Sequence, residues 1–359
     1  MKALKIGDLT VELPIIQGGM GIGVSMSGLA AAVANAGGVG VIALAGLGMF
    51  EPDGAKNFKE ANIRALKSQI QKARALTKGV LGVNIMVALT NFDDLVKTSI
   101  SAGIDIIIAG AGLPLSLPQH LIKGSKTKLV PIVSSGRAAK ILCSKWKDQY
   151  DYLPDAIVVE GPKAGGHLGF KRKQLDDPDF ALEKLLPDVL EQVRYFEETY
   201  QTKIPVIAAG GIYTGEDIKK IMDLGASGVQ MGTRFVTTIE CDASSKFKQT
   251  YIDSTKDDME IINSPVGMPG RAIRNDFIEK IRKGEKRPVK CPYHCLSTCD
   301  IKNTPYCIVA ALVNGRKGNF FNGYAFAGSN AYRATKIVSV KETMESLVKE
   351  FEEAVLKPE

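Results

Sequence analysis

Short apolar, β-prone runs recur along the chain, each followed by a segment whose apolar positions fall at helical spacing. Eight runs stand out: PIIQGG from Pro14, GVGVIALAG from Gly38, GVLGVNIMV from Gly79 and IDIIIAGAG from Ile104, then LVPIVSSG from Leu129, DAIVVEG from Asp155, IPVIAAGG from Ile204 and ASGVQMG from Ala226. Their apolar character is continuous rather than alternating, as expected for parallel strands covered on both faces. Helical segments lie between them, among them SGLAAAVANAG from Ser27, NIRALKSQIQKARAL from Asn62 and TGEDIKKIMDLGA from Thr214. Thr214 reads as an N-cap, Glu216 and Asp217 put negative charge in the first turn, and Gly225 reads as a stop. Strand and helix alternating eight times predict an α/β fold, a (β/α)8 TIM barrel. An open doubly wound sheet is the alternative, but the chain has no GxGxxG followed by an acid about 20 residues on.

Residues beyond the eighth run are too many for one closing helix. They predict an additional, mainly helical C-terminal region over the barrel mouth. The chain therefore divides into a barrel over 1–235, an inserted lid over 236–335 and a closing helix over 336–359. In that last helix Met344, Leu347, Phe351 and Val355 recur at helical spacing and read as core contacts.

A barrel builds its active site where its strands end. Here the ends carry Gln17, Gly18, Gly19 and Met20, then Asn84, Ser134, Glu160, Gly165, Gly166 and His167, and finally Gly210, Gly211, Gln230, Gly232 and Thr233. Glycine makes up 36 of 359 residues, against a usual share of about 7%, and the excess gathers in pairs at these ends. Such glycines serve as simple turns or as a phosphate cradle of loop N–H groups. The set at the seventh and eighth ends, with the Thr233 hydroxyl, favours phosphate.

Taken in order, PIIQGGMG, GVN, EGPKAGGHLG, PVIAAGGI and GVQMGTRF resemble the flavin-dependent nitronate monooxygenase family, whose architecture is shared by the flavin-dependent enoyl-acyl-carrier-protein reductases. The resemblance covers residues 10–240 and resumes more weakly at GMPGRAIRN and GYAFAGSNA. It implies non-covalent FMN, with the phosphate on Gly210, Gly211, Gly232 and Thr233, and with Met20, Asn84 and Glu160 along the ring or ribityl chain. Glycines 165 and 166 would let the backbone approach the ring, with His167 on its substrate side. An imidazole with a pKa near the working pH suits a general base; the alternative is a structural histidine bonded to a backbone carbonyl. The implied substrate is a small nitronate or nitroalkane oxidised with molecular oxygen. An enoyl thioester reduced through a nicotinamide donor fits the same motifs, and a non-catalytic flavin- or phosphate-binding scaffold is the reading outside enzymology.

The net charge of +7 would draw in an anionic substrate or a phosphorylated cofactor. The basic stretch from Glu279 to Lys290 reads as a solvated connector, and no motif supports nucleic-acid binding. Neither a secretory signal nor a membrane-length apolar run is evident, so a cytoplasmic location is expected. A homodimer is compatible with this reading.

Four of the six cysteines, Cys291, Cys295, Cys299 and Cys307, fall in CPYHCLSTCDIKNTPYC. They are candidate ligands for zinc or an iron–sulfur cluster, although the spacing is looser than the familiar ferredoxin run. Four reduced thiols in a compact lid are the alternative. His294 would point away from the first two if the stretch were helical. His120, Cys143 and Cys241 attract no role.

Overall fold

The computed structural model describes residues 1–287 and 290–357. Pro288 and Val289 of the basic connector, and the last two residues of the closing segment, lie outside the described residues. All eight expected strands form: β1 (Ile15–Gln17), β2 (Gly40–Ala43), β3 (Leu81–Met86), β4 (Ile106–Gly110), β5 (Lys128–Val133), β6 (Ile157–Glu160), β7 (Val206–Ala209) and β8 (Gly228–Met231). They pair in parallel in the order β1-β8-β7-β6-β5-β4-β3-β2. A parallel bridge between Ile16 and Val39, with Gln17 N donating to Val39 O at 2.9 Å, brings the last strand of that list back to the first.

Continuous apolar strands follow from this closure. Ile16, Val41, Ile108, Val130, Val158 and Ile207 fill the barrel interior, and the N-terminal hairpin (Leu4–Ile6 with Leu9–Val11) joins the same cluster. The alternate positions, such as Val83, Ile107, Leu129 and Val229, pack outward against the helices. These are α1 (Ser27–Asn35), α2 (Phe58–Leu76), α3 (Phe92–Ser101), α4 (Gly136–Tyr150), α5 (Leu182–Tyr200) and α6 (Gly215–Asp223). At Gly40 a Cβ would lie 1.7 Å from Ala30 O, so only glycine lets α1 sit this close on β2. Thr214 caps α6 as expected: its Oγ1 accepts from Asp217 N at 3.2 Å, and the Asp217 carboxylate accepts from Thr214 N at 2.9 Å.

After a single-turn helix α7 (Thr233–Val236), the C-terminal region adds α8 (Ser245–Asp253), β9 (Met259–Asn263), β10 (Pro269–Ile273), α9 (Asp276–Arg282), α10 (Ile308–Arg316) and α11 (Val340–Leu356). The helices match expectation; the β9–β10 hairpin is an addition. β10 also pairs antiparallel with a two-residue strand, Gly166–His167, making a three-stranded sheet above the barrel. α11 packs on α6 and α1. Met344, Leu347 and Phe351 are buried there, whereas Val355 in the last turn is 52% exposed and is not a core contact. No helix among the described residues is long and apolar enough to cross a membrane.

Candidate active site

A cavity of about 290 Å³ opens at the C-terminal ends of the barrel strands. Its floor is glycine-rich: Gly18, Gly19 and Met20 follow β1, Gly210 and Gly211 follow β7, and Gly232 and Thr233 follow β8. Asn84, Glu160 and Gln230 project from the strands themselves. Gly165, Gly166 and His167 complete the set, so the structure gathers every strand-end candidate except Gln17, whose buried side chain accepts from Val41 N at 3.0 Å, and Ser134. That hydroxyl turns away from the cavity and donates to Gly169 O at 3.3 Å.

The glycines are needed for different reasons. Gly210 and Gly211 have φ of +94° and +89°, which side-chain-bearing residues rarely adopt. Gly165 is small because another loop presses on it: a Cβ would meet Gly328 N at 2.5 Å. The next residue, Gly166, turns the chain at φ +77°. The smallness of Gly165 thus serves the protein's own packing, and both glycines also line the cavity. At Gly232 a Cβ would meet nothing nearer than Met20 Sδ at 3.5 Å, so there is room above it for an occupant. The Thr233 hydroxyl already accepts from Gly328 N at 3.0 Å. Lys163, inside the EGPKAGGHLG motif but not singled out, lays its side chain over Gly211 and faces the same cavity.

His167 is positioned from the C-terminal region. Its strand pairs with Gly270, Leu168 N donates to Pro269 O at 2.9 Å, and its Nε2 lies 2.8 Å from Ser264 Oγ. The Phe326 ring stands edge-on to it at 5.2 Å. Behind the loop, the buried Arg271 donates from Nη1 to Pro162 O at 2.5 Å and Ala164 O at 2.8 Å. Burial pushes the imidazole down to about 4, so the expected poise near neutral pH is not met. Desolvation disfavours its charged form, and no carboxylate stands by to offset that. The same effect acts oppositely on Glu160, whose carboxyl is pushed up to about 7. Ser264, Arg271 and Phe326 are distant in sequence from the motif and were not singled out, although Arg271 lies within the weak echo GMPGRAIRN and Phe326 within GYAFAGSNA.

Three polar atoms on the cavity wall, Gln230 Oε1, Tyr213 Oη and Ser329 Oγ, are buried without a hydrogen-bond partner among the described residues. Buried polar groups are ordinarily satisfied, so the wall suits an occupant that hydrogen-bonds at several points. A phosphorylated flavin has that character.

The C-terminal region supplies an apolar wall: Leu296, Ile308, Val309 and Leu312, with the Cys295 thiol among them. The cysteine segment is irregular rather than helical, with His294 at φ +44°. Main-chain bonds hold it to the loop after β3, including Thr90 N to Cys295 O at 3.2 Å and Ser297 N to Ala88 O at 3.0 Å. All four cysteines are free thiols. Among the described residues no group of three or more His, Cys, Asp or Glu side chains is placed to hold a metal ion, so the zinc and iron–sulfur expectations find no support. Main-chain bonds to residues 88–90 and the burial of Cys295 and Leu296 anchor this segment. Burial raises the Cys295 thiol to about 12, and the neighbouring cysteines push it the same way.

A family model described as nitronate monooxygenase matches residues 2–350. The chain is 31% identical over 279 residues to an octahydro-indene-carboxyl-CoA dehydrogenase of Mycobacterium tuberculosis, covering 77% of this chain and 67% of that protein. It is 30% identical over 313 residues to a "Probable nitronate monooxygenase" of Staphylococcus aureus, covering 77% of this chain and 79% of that protein. Among solved structures, FabK from Thermotoga maritima superposes with a TM-score of 0.75 at 29% identity, over 96% of this chain and 94% of that one. Nitroalkane oxidase from Streptomyces ansochromogenes has the same fold, with a TM-score of 0.71 at 22% identity over 96% of each chain.

Proposed function

The chain belongs to the nitronate monooxygenase family of flavin-dependent oxidoreductases, and on that premise we propose that it holds FMN and oxidises alkyl nitronates or nitroalkanes with molecular oxygen. The observation that carries this reading is the cavity wall itself, with its unpaired Gln230, Tyr213 and Ser329 atoms and Lys163 above the Gly210–Gly211 turn. When bound, the flavin supplies electron acceptance and the chemistry with oxygen; the rest falls to side chains.

His167 is the general base of this reading. Held near 4, the imidazole is in its proton-accepting form throughout the neutral range. With the ring hydrogen on Nε2 and donated to Ser264 Oγ, Nδ1 is left to accept the α-proton of a nitroalkane. Ser264 and Phe326 fix the ring plane, which is how a base is oriented in a catalytic constellation. The C-terminal wall excludes water and presents an aliphatic surface to the substrate.

A second reading draws on that wall. Leu296, Ile308, Val309 and Leu312 would equally line an acyl chain, and the likeness to FabK extends over nearly the whole chain. In this reading the substrate is an enoyl thioester reduced through the flavin by a nicotinamide donor.

Purified protein is expected to be yellow and to release FMN, not FAD, on denaturation. Oxygen uptake with propyl-2-nitronate is expected to exceed reduction of a crotonyl thioester by NADH or NADPH. Release of FAD, or no flavin after reconstitution, would remove the cofactor; reduction of the thioester alone would install the second reading.

The cradle has its own test. Gly232→Ala fits the protein as it stands, because the nearest neighbour of the new methyl is at an ordinary contact distance. Thermal stability should therefore hold while FMN affinity falls. Unchanged affinity would move the phosphate away from Gly232.

A further inference from the structure

One short stretch of the C-terminal region touches three successive strand ends. Gly328 N donates to Thr233 Oγ1 after β8 at 3.0 Å, Ser329 N donates to Lys163 O after β6 at 3.1 Å, and Asn330 Nδ2 donates to Gly211 O after β7 at 2.7 Å. The fit is close. A Cβ on Gly328 would stand 2.7 Å from Thr233 Oγ1, and one on Gly165 would stand 2.5 Å from Gly328 N. All three residues, 328 to 330, line the cavity. A single 3₁₀ turn, Ala331–Arg333, follows at once and is fastened to the same barrel loop. Arg333 pairs with Asp217 at 3.6 Å and lies over the Tyr213 ring at 5.0 Å, and both partners stand shortly after Gly211 in the chain.

The Gly210–Gly211 turn needs such a hold. Both glycines have positive φ, and glycine loses more backbone freedom on ordering than any other residue. Among the described residues Gly211 O has no other hydrogen-bond donor, and Gly211 N and Ile212 N have no acceptor. The carbonyl is thus fixed from the C-terminal region, while the neighbouring N–H groups are left for a ligand. We propose that residues 328–330 are a strap closing the phosphate end of the flavin cradle, with Asn330 as the positioning residue that sets the Gly210–Gly211 turn before the phosphate arrives. This rests on the flavin-dependent function proposed above. The barrel supplies the cradle, and the C-terminal region supplies its shape. A turn set in advance binds without first being ordered, and only a ligand that uses the turn gains from it. FMN carries the phosphate and riboflavin does not, so the two share ring and ribityl contacts and differ at the strap.

The experiment reads flavin affinity, not turnover. The full chain is stripped of flavin, and dissociation constants for FMN and riboflavin are measured from the quenching of flavin fluorescence. The wild type is expected to prefer FMN by about tenfold or more, the size of one hydrogen bond to a charged group. Asn330→Ala removes a neutral hydrogen bond, so FMN should bind about three- to tenfold more weakly while riboflavin stays within a factor of about two. Asn330→Asp keeps the side chain's shape, turns its donor into an acceptor facing Gly211 O and adds negative charge beside the phosphate. It should weaken FMN more than the alanine variant does and again spare riboflavin, and it carries the test if the alanine variant fails to fold. A merely structural asparagine would lower both affinities together. Equal losses of both flavins, or no loss of either, overturn the strap and leave the flavin assignment standing. So does a wild type that binds FMN and riboflavin alike. A wild type that binds neither overturns the strap and the cofactor assignment together.

Discussion

His167→Ala is expected to keep its fold and its FMN while losing turnover of neutral 2-nitropropane by about 10²–10⁴-fold, the usual size of a general-base contribution. Folding should survive because His167 sits on a two-residue strand whose pairing with β10 is through the main chain. The preformed nitronate has already lost its α-proton, so its oxidation should suffer far less. Equal losses on both substrates would assign the imidazole to binding instead of proton abstraction. The pH profile carries a second signature. A base held at about 4 works when unprotonated, so its own contribution falls only as the pH drops towards 4 and gives no inflection near 6.5. An inflection near 6.5 that disappears in His167→Ala would mean that the imidazole is more solvated than the structure has it.

That profile separates what a sequence carries from what it does not. The barrel was legible because each strand is buried on both faces, which writes an unbroken apolar run into the chain at Ile106–Gly110 or Val206–Ala209. The strand-end candidates were legible because connectivity alone puts strand ends at one mouth. Side-chain direction is not fixed that way, and Ser134 shows it by turning to Gly169. Acidity is set by burial and neighbours from distant segments, so the opposite displacements of His167 and Glu160 were invisible. The cysteine spacing suggested ligands, yet main-chain pairing to residues 88–90, about two hundred positions earlier, explains the segment's order without them. Ser264, Arg271 and Phe326 reach the site only because β10 lies against Gly166–His167, a pairing with no local signature.

Arg271→Met is expected to destabilise the fold by about 3 kcal/mol or more and to abolish activity. A hydrogen bond involving a charged group is worth roughly 1.5–3 kcal/mol, and this guanidinium donates to two carbonyls, Pro162 O and Ala164 O. Both oxygens belong to the loop between Glu160 and His167, and the arginine is only 7% exposed, so water does not readily replace the lost donors. Methionine keeps much of the apolar volume of the stem, which separates the loss of the donors from the loss of packing. The functional consequence follows from the loop's position. Lys163 over Gly211, the Gly165 contact with Gly328 and the His167 approach to Ser264 all hang on residues 161–167. Loosening that span should therefore weaken FMN binding and raise the pH at which His167 protonates, since a more solvated imidazole returns towards its ordinary value. Arg271→Lys restores one positive donor but not the paired reach of the guanidinium, so it should recover part of the stability and less of the activity. The measurements are chemical denaturation, flavin affinity and the histidine titration followed by NMR. A variant with wild-type stability and an unmoved His167 titration would show that the loop holds its shape without the arginine.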